Sequence, residues 1–380
     1  TVAVGYAAGN AITSGQGNVA VGYQSLDAED DGDFNTAVGY QALTAQEGTS
    51  GTVGTTAIGY ASCQATTTGI KNTAVGYRSL LTPTTALHNV AIGYGSMADV
   101  KAAVAVDGCV AVGFGSLAGN SSNSTGIDGT VAVGYQALTA LTSGTGNVAV
   151  GYESLLTENA GGGNVALGYR ALKTVDNDDG HNIAIGYEAM VNSSNAYYNI
   201  AIGRSAGAEM SSANVGSCVL IGYQSGDAIS HADASGTVAI GKSALTALTT
   251  GAGNTAVGHE AAKAITIGQK NTALGFGALL TNVDGDENTA VGYQSLYTYE
   301  PGDGEGFNTG LGYRSGFSMS TGENNLCAGH SAGYYNATGD NNTYVGYKAG
   351  YGASGNSNSY NTGVGKESLK VIETGSNNTA

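Results

Sequence analysis

Small, apolar and polar positions alternate in a nine-residue phrase that returns along the whole chain, as in Asn35-Thr36-Ala37-Val38-Gly39-Tyr40-Gln41-Ala42-Leu43. The second residue is nearly always Val, Thr or Ile, and the fourth is nearly always Val, Ile or Leu. The third is usually Ala and the fifth is Gly. Alternation with period two, rich in β-branched residues, predicts a short strand, and no helical period runs through any useful window. The ninth residue is often Leu (Leu26, Leu43, Leu80, Leu138), which predicts a second, shorter strand turning one more apolar side chain inward. A glycine commonly stands three residues before the next phrase (Gly32, Gly69, Gly144, Gly251, Gly285, Gly339), where a tight turn would use its backbone freedom. Strand residues alternate faces. On this pattern the β-branched second and fourth residues fill the interior, and Ala and Gly face out toward another backbone that approaches closely.

The fifth-position glycine marks 21 copies, from Gly5 through Gly39, Gly151 and Gly292 to Gly365, most often 17 residues apart and otherwise 18 to 21. A unit this short cannot fold alone and must stack on its neighbours. The expected fold class is therefore all-β: a parallel β-solenoid of about 17 residues per coil and about 21 coils. Residues 1–380 would form a single repetitive segment without a linker. At about 4.8 Å per coil its length would be roughly 100 Å. The first residue is Asn in 15 of 21 copies, including Asn35, Asn147 and Asn288, and Thr or Cys in the rest. Stacked asparagines predict a hydrogen-bonded ladder at one corner. The sixth is Tyr in 14 copies, including Tyr40, Tyr152 and Tyr293. Phe114, Phe276, His259 and His330 also occur there, and so do Arg204, Lys242 and Lys366. This predicts an aromatic ladder at a solvent-reaching edge, with a sugar-stacking strip as the alternative. The residues of the repeat thus have structural roles: Asn35, Thr36, Ala37, Val38, Gly39, Tyr40 and Leu43, with Asn147, Gly151, Tyr152, Asn288, Gly292 and Tyr293 as their counterparts. Longer loops at 44–54, 98–108, 118–129 and 297–307 interrupt the same part of the repeat. They are the expected bearers of recognition.

Charge and cysteine content add limits. Net charge is −16 with only 13 basic residues and no basic stripe, which argues against nucleic acid as a partner. No apolar run is long enough for a membrane-spanning helix. Acids gather in loops: Asp27, Glu29, Asp30, Asp31 and Asp33; Asp176, Asp178 and Asp179; Asp284, Asp286 and Glu287; Asp303 and Glu305. Their expected role is solvated charge, with no cofactor and at most weak calcium binding. Cys63, Cys109, Cys218 and Cys327 lie at least three coils apart, too far for a bridge within one solenoid, and match no zinc spacing. They read as small buried residues. No histidine, serine or glycine cluster has a recurring catalytic spacing, and no enzymatic activity is expected. A polysaccharide-cleaving solenoid and an ice-binding one are the alternatives of another class. Inward-facing Thr in only nine of 21 second positions counts against the latter.

Phrases such as Asn35–Leu43 and Asn147–Leu155 resemble repeats of bacteriophage tail fibres. They are also similar to the head repeats of YadA-like trimeric autotransporter adhesins. The resemblance covers the chain and implies a left-handed parallel β-roll, intertwined or side by side in a homotrimeric fibre. It implies an extracellular place, on a virion tail fibre or, in the other reading, as an adhesin head on a bacterial cell surface. The implied partners are a host-cell surface glycan or protein. The period is longer than in the adhesin heads. The chain opens inside one phrase and closes three residues into a twenty-second, as expected of a segment of a longer fibre. With the Ala and Gly face at the trimer interface, Cys327 would lie near the threefold axis, and Tyr344 would break the pattern, with Cys327 and Gly363 in the neighbouring coils making room for it.

Overall fold

The computed structural model describes residues 1–47, 51–100, 106–119, 126–176, 180–211, 214–301, 306–355, 357–372 and 375–380. It is a parallel β-solenoid of about 17 residues per turn, in two compact units, Thr1–Ser194 and Asn195–Ala380. The first unit carries eleven repeat strands of three residues, from Val2–Val4 to Ile183–Ile185, and the second ten, from Ile200–Ile202 to Thr362–Val364. Within each unit every strand pairs in parallel with the next copy, position for position: Val19 on Thr36, Ala20 on Ala37, Val21 on Val38. The register survives insertions, since Thr36 pairs with Thr56 across a longer loop. One 3-10 turn, Ala232–Ala234, interrupts the second unit.

The faces of the strand are the reverse of those the alternation suggests. The third residue is fully buried (Ala37, Ala149, Ala290), while the second and fourth are only half-buried or exposed. The reason is the coil's cross-section. The third residue points at the ninth, as at Gly363 against Leu369, so a methyl group fills the space that the ninth side chain leaves and an isopropyl group would overfill it. Where the third residue is larger, the ninth shrinks to make room. Leu220 stands over Gly226, and Tyr344, fully buried, lies against Gly350. Cys327 and Tyr344 are therefore interior residues and not axial ones.

The invariant fifth glycine has the same local cause. Its φ lies near +135°, as at Gly39 (+140°) and Gly151 (+145°), a region closed to side chains. A Cβ there would also strike the carbonyl of the glycine in the next coil. The close backbone approach inferred from the sequence is thus real, but the backbone belongs to this chain. The turn glycines Gly32, Gly69, Gly251, Gly285 and Gly339 are used for room as well. A Cβ on each would meet a turn backbone or side chain, and positive φ is needed only at Gly144.

Residues six to nine form turns and not the expected second strand. The seventh and ninth residues take left-handed backbone (Gln41 φ 51°, Leu43 φ 53°), which aims Leu43 and its counterparts into the core. The twelfth residue is a further interior position. Val100, Leu141, Val175, Met210, Ile229, Leu248, Ile265, Tyr299 and Met319 occupy it, fully buried, and so do Glu29, Gln46, Glu158 and Asn282. Glu29 is therefore core and not solvated loop charge. All four cysteines are buried free thiols, pushed up to about 11 or 12 by burial.

Candidate functional site

Two ladders and one face run through each unit. The buried ladder is asparagine. Asn35 N–H donates to Asn18 Oδ1 (2.8 Å), and Asn18 Nδ2 donates to the Gly32 carbonyl (2.8 Å). Asn147 repeats both bonds to Asn164 N and the Gly161 carbonyl. Asn288 accepts from Asn308 N at 3.0 Å. Each side chain thus joins two coils and satisfies a backbone N–H sealed from water. Cys109 N–H donates to Asn89 Oδ1, but its thiol side chain has no amide to continue the ladder. The buried hydroxyls of Thr55 and Thr130 are left without a partner.

The exposed ladder is aromatic. In the first unit Tyr6, Tyr23, Tyr40, Tyr60, Tyr77, Tyr94, Phe114, Tyr135, Tyr152, Tyr169 and Tyr187 stack without interruption, with neighbouring centroids 4.9–5.3 Å apart. In the second unit His259, Phe276, Tyr293, Tyr313, His330 and Tyr347 form a corresponding run. Arg204 and Lys242 flank Tyr223 in the same column. Because each inner ring has its faces covered by the rings above and below, a sugar cannot stack on them. Only ring edges meet the surroundings. A second short column, Tyr297, Phe317, Tyr334 and Tyr351, lies beside the first near its C-terminal end, with Arg314 within 5.9 Å of Tyr293, Tyr313 and Phe317.

Beside the rings lie the outward side chains of the strand. Thr36 and Val38 are half-buried, and Leu167, Leu274 and Leu311 are 45–50% exposed. Tyr40, Tyr152 and Tyr293 are 40–44% exposed. In the first unit, eleven rings of about 200 Å² each, roughly two-fifths exposed, alone present about 900 Å² of aromatic surface. That exceeds the largest apolar patch of a typical monomer, about 300–600 Å². Beside Tyr94 and Phe114, where the seventh residues are Gly95 and Gly115, a cavity of about 190 Å³ opens with Arg78 and Asp99 on its wall.

The long loops are described in part; residues 48–50, 101–105, 120–125 and 302–305 lie outside the described set, and so do Asp178, Asp179, Asp303 and Glu305. The described parts return apolar side chains to the core through Val53, Val100, Val106, Ile127 and Tyr299. Among the described residues, three potential metal-ligating side chains converge only at Glu29, Asp30 and Asp31. Asp284, Asp286 and Glu287 instead spread over separate partners: Thr266 Oγ1, Gln269 N and Lys270 Nζ. Among the described residues no helix is long and apolar enough to cross a membrane.

No protein-family model matches the chain, and no curated protein matches it. The β-solenoid is compatible with a fibre or an adhesin-like structural role. The sequence pattern identified the strand, both ladders and the solvent-reaching Tyr. It missed the twelfth interior position, although large apolar residues recur seven places after the glycine. It also missed the left-handed turn, although glycines at the seventh (Gly95, Gly115) and ninth positions (Gly226, Gly350) were a signal.

Proposed function

We infer that this chain is a structural segment of an extracellular homotrimeric fibre, the shaft of a phage tail fibre, that holds host-contacting loops on a rigid support. The observation that carries the reading is the outward face. A chain of net charge −16 keeps a column of aromatic edges flanked by Val, Thr, Ile and Leu. About 900 Å² per chain is of the order that a stable interface needs from one partner. The interface is therefore the second-, fourth- and sixth-position face, not the Ala and Gly positions. Fibre shafts need length and stiffness, and a solenoid supplies both by repetition, each coil depending only on its neighbours. Recognition of a host glycan or protein falls to the loops at 44–54, 98–108, 118–129 and 297–307. Electron microscopy of virions labelled with antibody against this chain tests the assignment. Label along tail fibres is expected; label absent from virions and present on bacterial cell surfaces would favour the adhesin reading.

A further inference from the structure

Two glutamates occupy the same interior twelfth position and end differently. Glu158 is fully buried, and its Oε1 accepts from Ala160 N (3.0 Å) and Gly161 N (2.6 Å). Its Oε2 accepts from Asn164 Nδ2 at 3.4 Å, and no further acid stands in its turn. Glu29 is equally buried, and its Oε1 accepts from Gly32 N at 2.6 Å. The second bond is missing: Glu29 Oε2 and Asn35 Nδ2 are both buried with no partner. Buried oxygens of Asp27 and Asp31 in the same turn are likewise unpartnered. Three carboxylates, from Glu29, Asp30 and Asp31, bring one oxygen each to within 4.8 Å of one another.

We propose that the turn at Asp27–Gly32 is a divalent-cation site of calcium type, with Glu29, Asp30 and Asp31 as its carboxylate ligands. Hard oxygen donors suit Ca²⁺, and its oxygen distance of about 2.4 Å allows two ligands on opposite sides to stand about 4.8 Å apart. Three carboxylate oxygens within 4.8 Å of one another are close enough to serve one coordination sphere. Leaving an unpaired carboxylate oxygen sealed beside two further carboxylates is costly, and a bound cation removes the cost. The loop at Asp284–Glu287 has comparable charge but no such convergence, which makes it an internal control.

The test is calorimetric titration of the chelator-stripped full chain with CaCl₂ and, separately, MgCl₂. One Ca²⁺ per chain is expected, with a dissociation constant below about 1 mM, in the range of extracellular calcium modules. Asp31→Asn, on a half-exposed residue, should weaken it at least tenfold, and Glu29→Gln should abolish it. Asp286→Asn should leave it unchanged. Absence of saturable calcium uptake would overturn the proposal, as would uptake that survives Asp31→Asn with Asp31→Asn and wild type melting alike in EDTA.

Discussion

The two units are built from one coil and differ in what they turn outward. In the first, eleven aromatic rings stack from Tyr6 to Tyr187 without interruption. In the second, Arg204, Lys242 and Lys366 enter the same column, with His259 and His330 among the rings. The interior is indifferent to this change. Third-position side chains, fifth glycines and the asparagine ladder continue in both units, and Gly241 beside Lys242 has the same φ (+134°) as Gly59 beside Tyr60. The aromatic residue is therefore not required to form the coil. Its recurrence in the first unit gives ring-on-ring stacking from coil to coil and, on the proposed function, an interface at the ring edges.

Charge placed on the outer face should separate the two units most. Val150→Glu with Leu167→Glu in the first unit should dissociate the assembly into folded single chains, read by light scattering alongside an unchanged far-ultraviolet spectrum. Ile221→Glu, between Arg204 and Lys242 in the second unit, should have a smaller effect, because cations already stand there. Equal loss at both sites would mean that the aromatic column has no special part in assembly.

Interior changes should not distinguish the units. Gly151→Ala and Gly258→Ala each force a Cβ onto the next coil's carbonyl at a φ of +145° or +138°. Each should cost about 3–5 kcal/mol, measured by denaturant unfolding. Asn147→Ala and Asn271→Ala should each cost about 2–4 kcal/mol, since each strands a buried amide of the next coil. A unit-specific difference in either pair would show that the coils are not equivalent inside.

A smaller effect concerns Glu158, one of the polar residues in the core of the first unit. Burial pushes the Glu158 carboxyl up to about 7, against its two amide bonds. A raised folded-state value means that the native chain holds the proton more tightly than the unfolded one. The stabilisation is complete below about pH 4.5 and is lost as pH rises to about 7, amounting to about 3 kcal/mol. Glu158→Gln should flatten that slope and raise stability at pH 8 by about 1–3 kcal/mol. A wild-type chain whose melting temperature is level between pH 4.5 and 7 would refute the assignment.

Much of the fold was legible because repetition amplifies weak signals. A single Thr36-Ala37-Val38-Gly39 is ambiguous, whereas 21 aligned copies specify a stacked strand. The orientation of that strand was not legible. Burial normally follows size, but here the Ala is sealed and the Val left half-buried on the outer face, so Ala37 and Val38 exchanged the places that hydrophobicity assigns them. The same reversal removes the argument that Thr36 and its counterparts point inward; they line the outer face, where assembly would cover them. Glu29 was unreadable for a related reason. Its neighbours Asp30 and Asp31 look like solvated charge, and only the seven-residue offset from Gly22 places it in the core.

Burial of the outer face between copies of this chain would show in its mass in solution. Sedimentation equilibrium of the full chain at micromolar concentration should give three times the chain mass of 37.6 kDa. A single-chain mass at that concentration, with the repeat folded, would contradict the account.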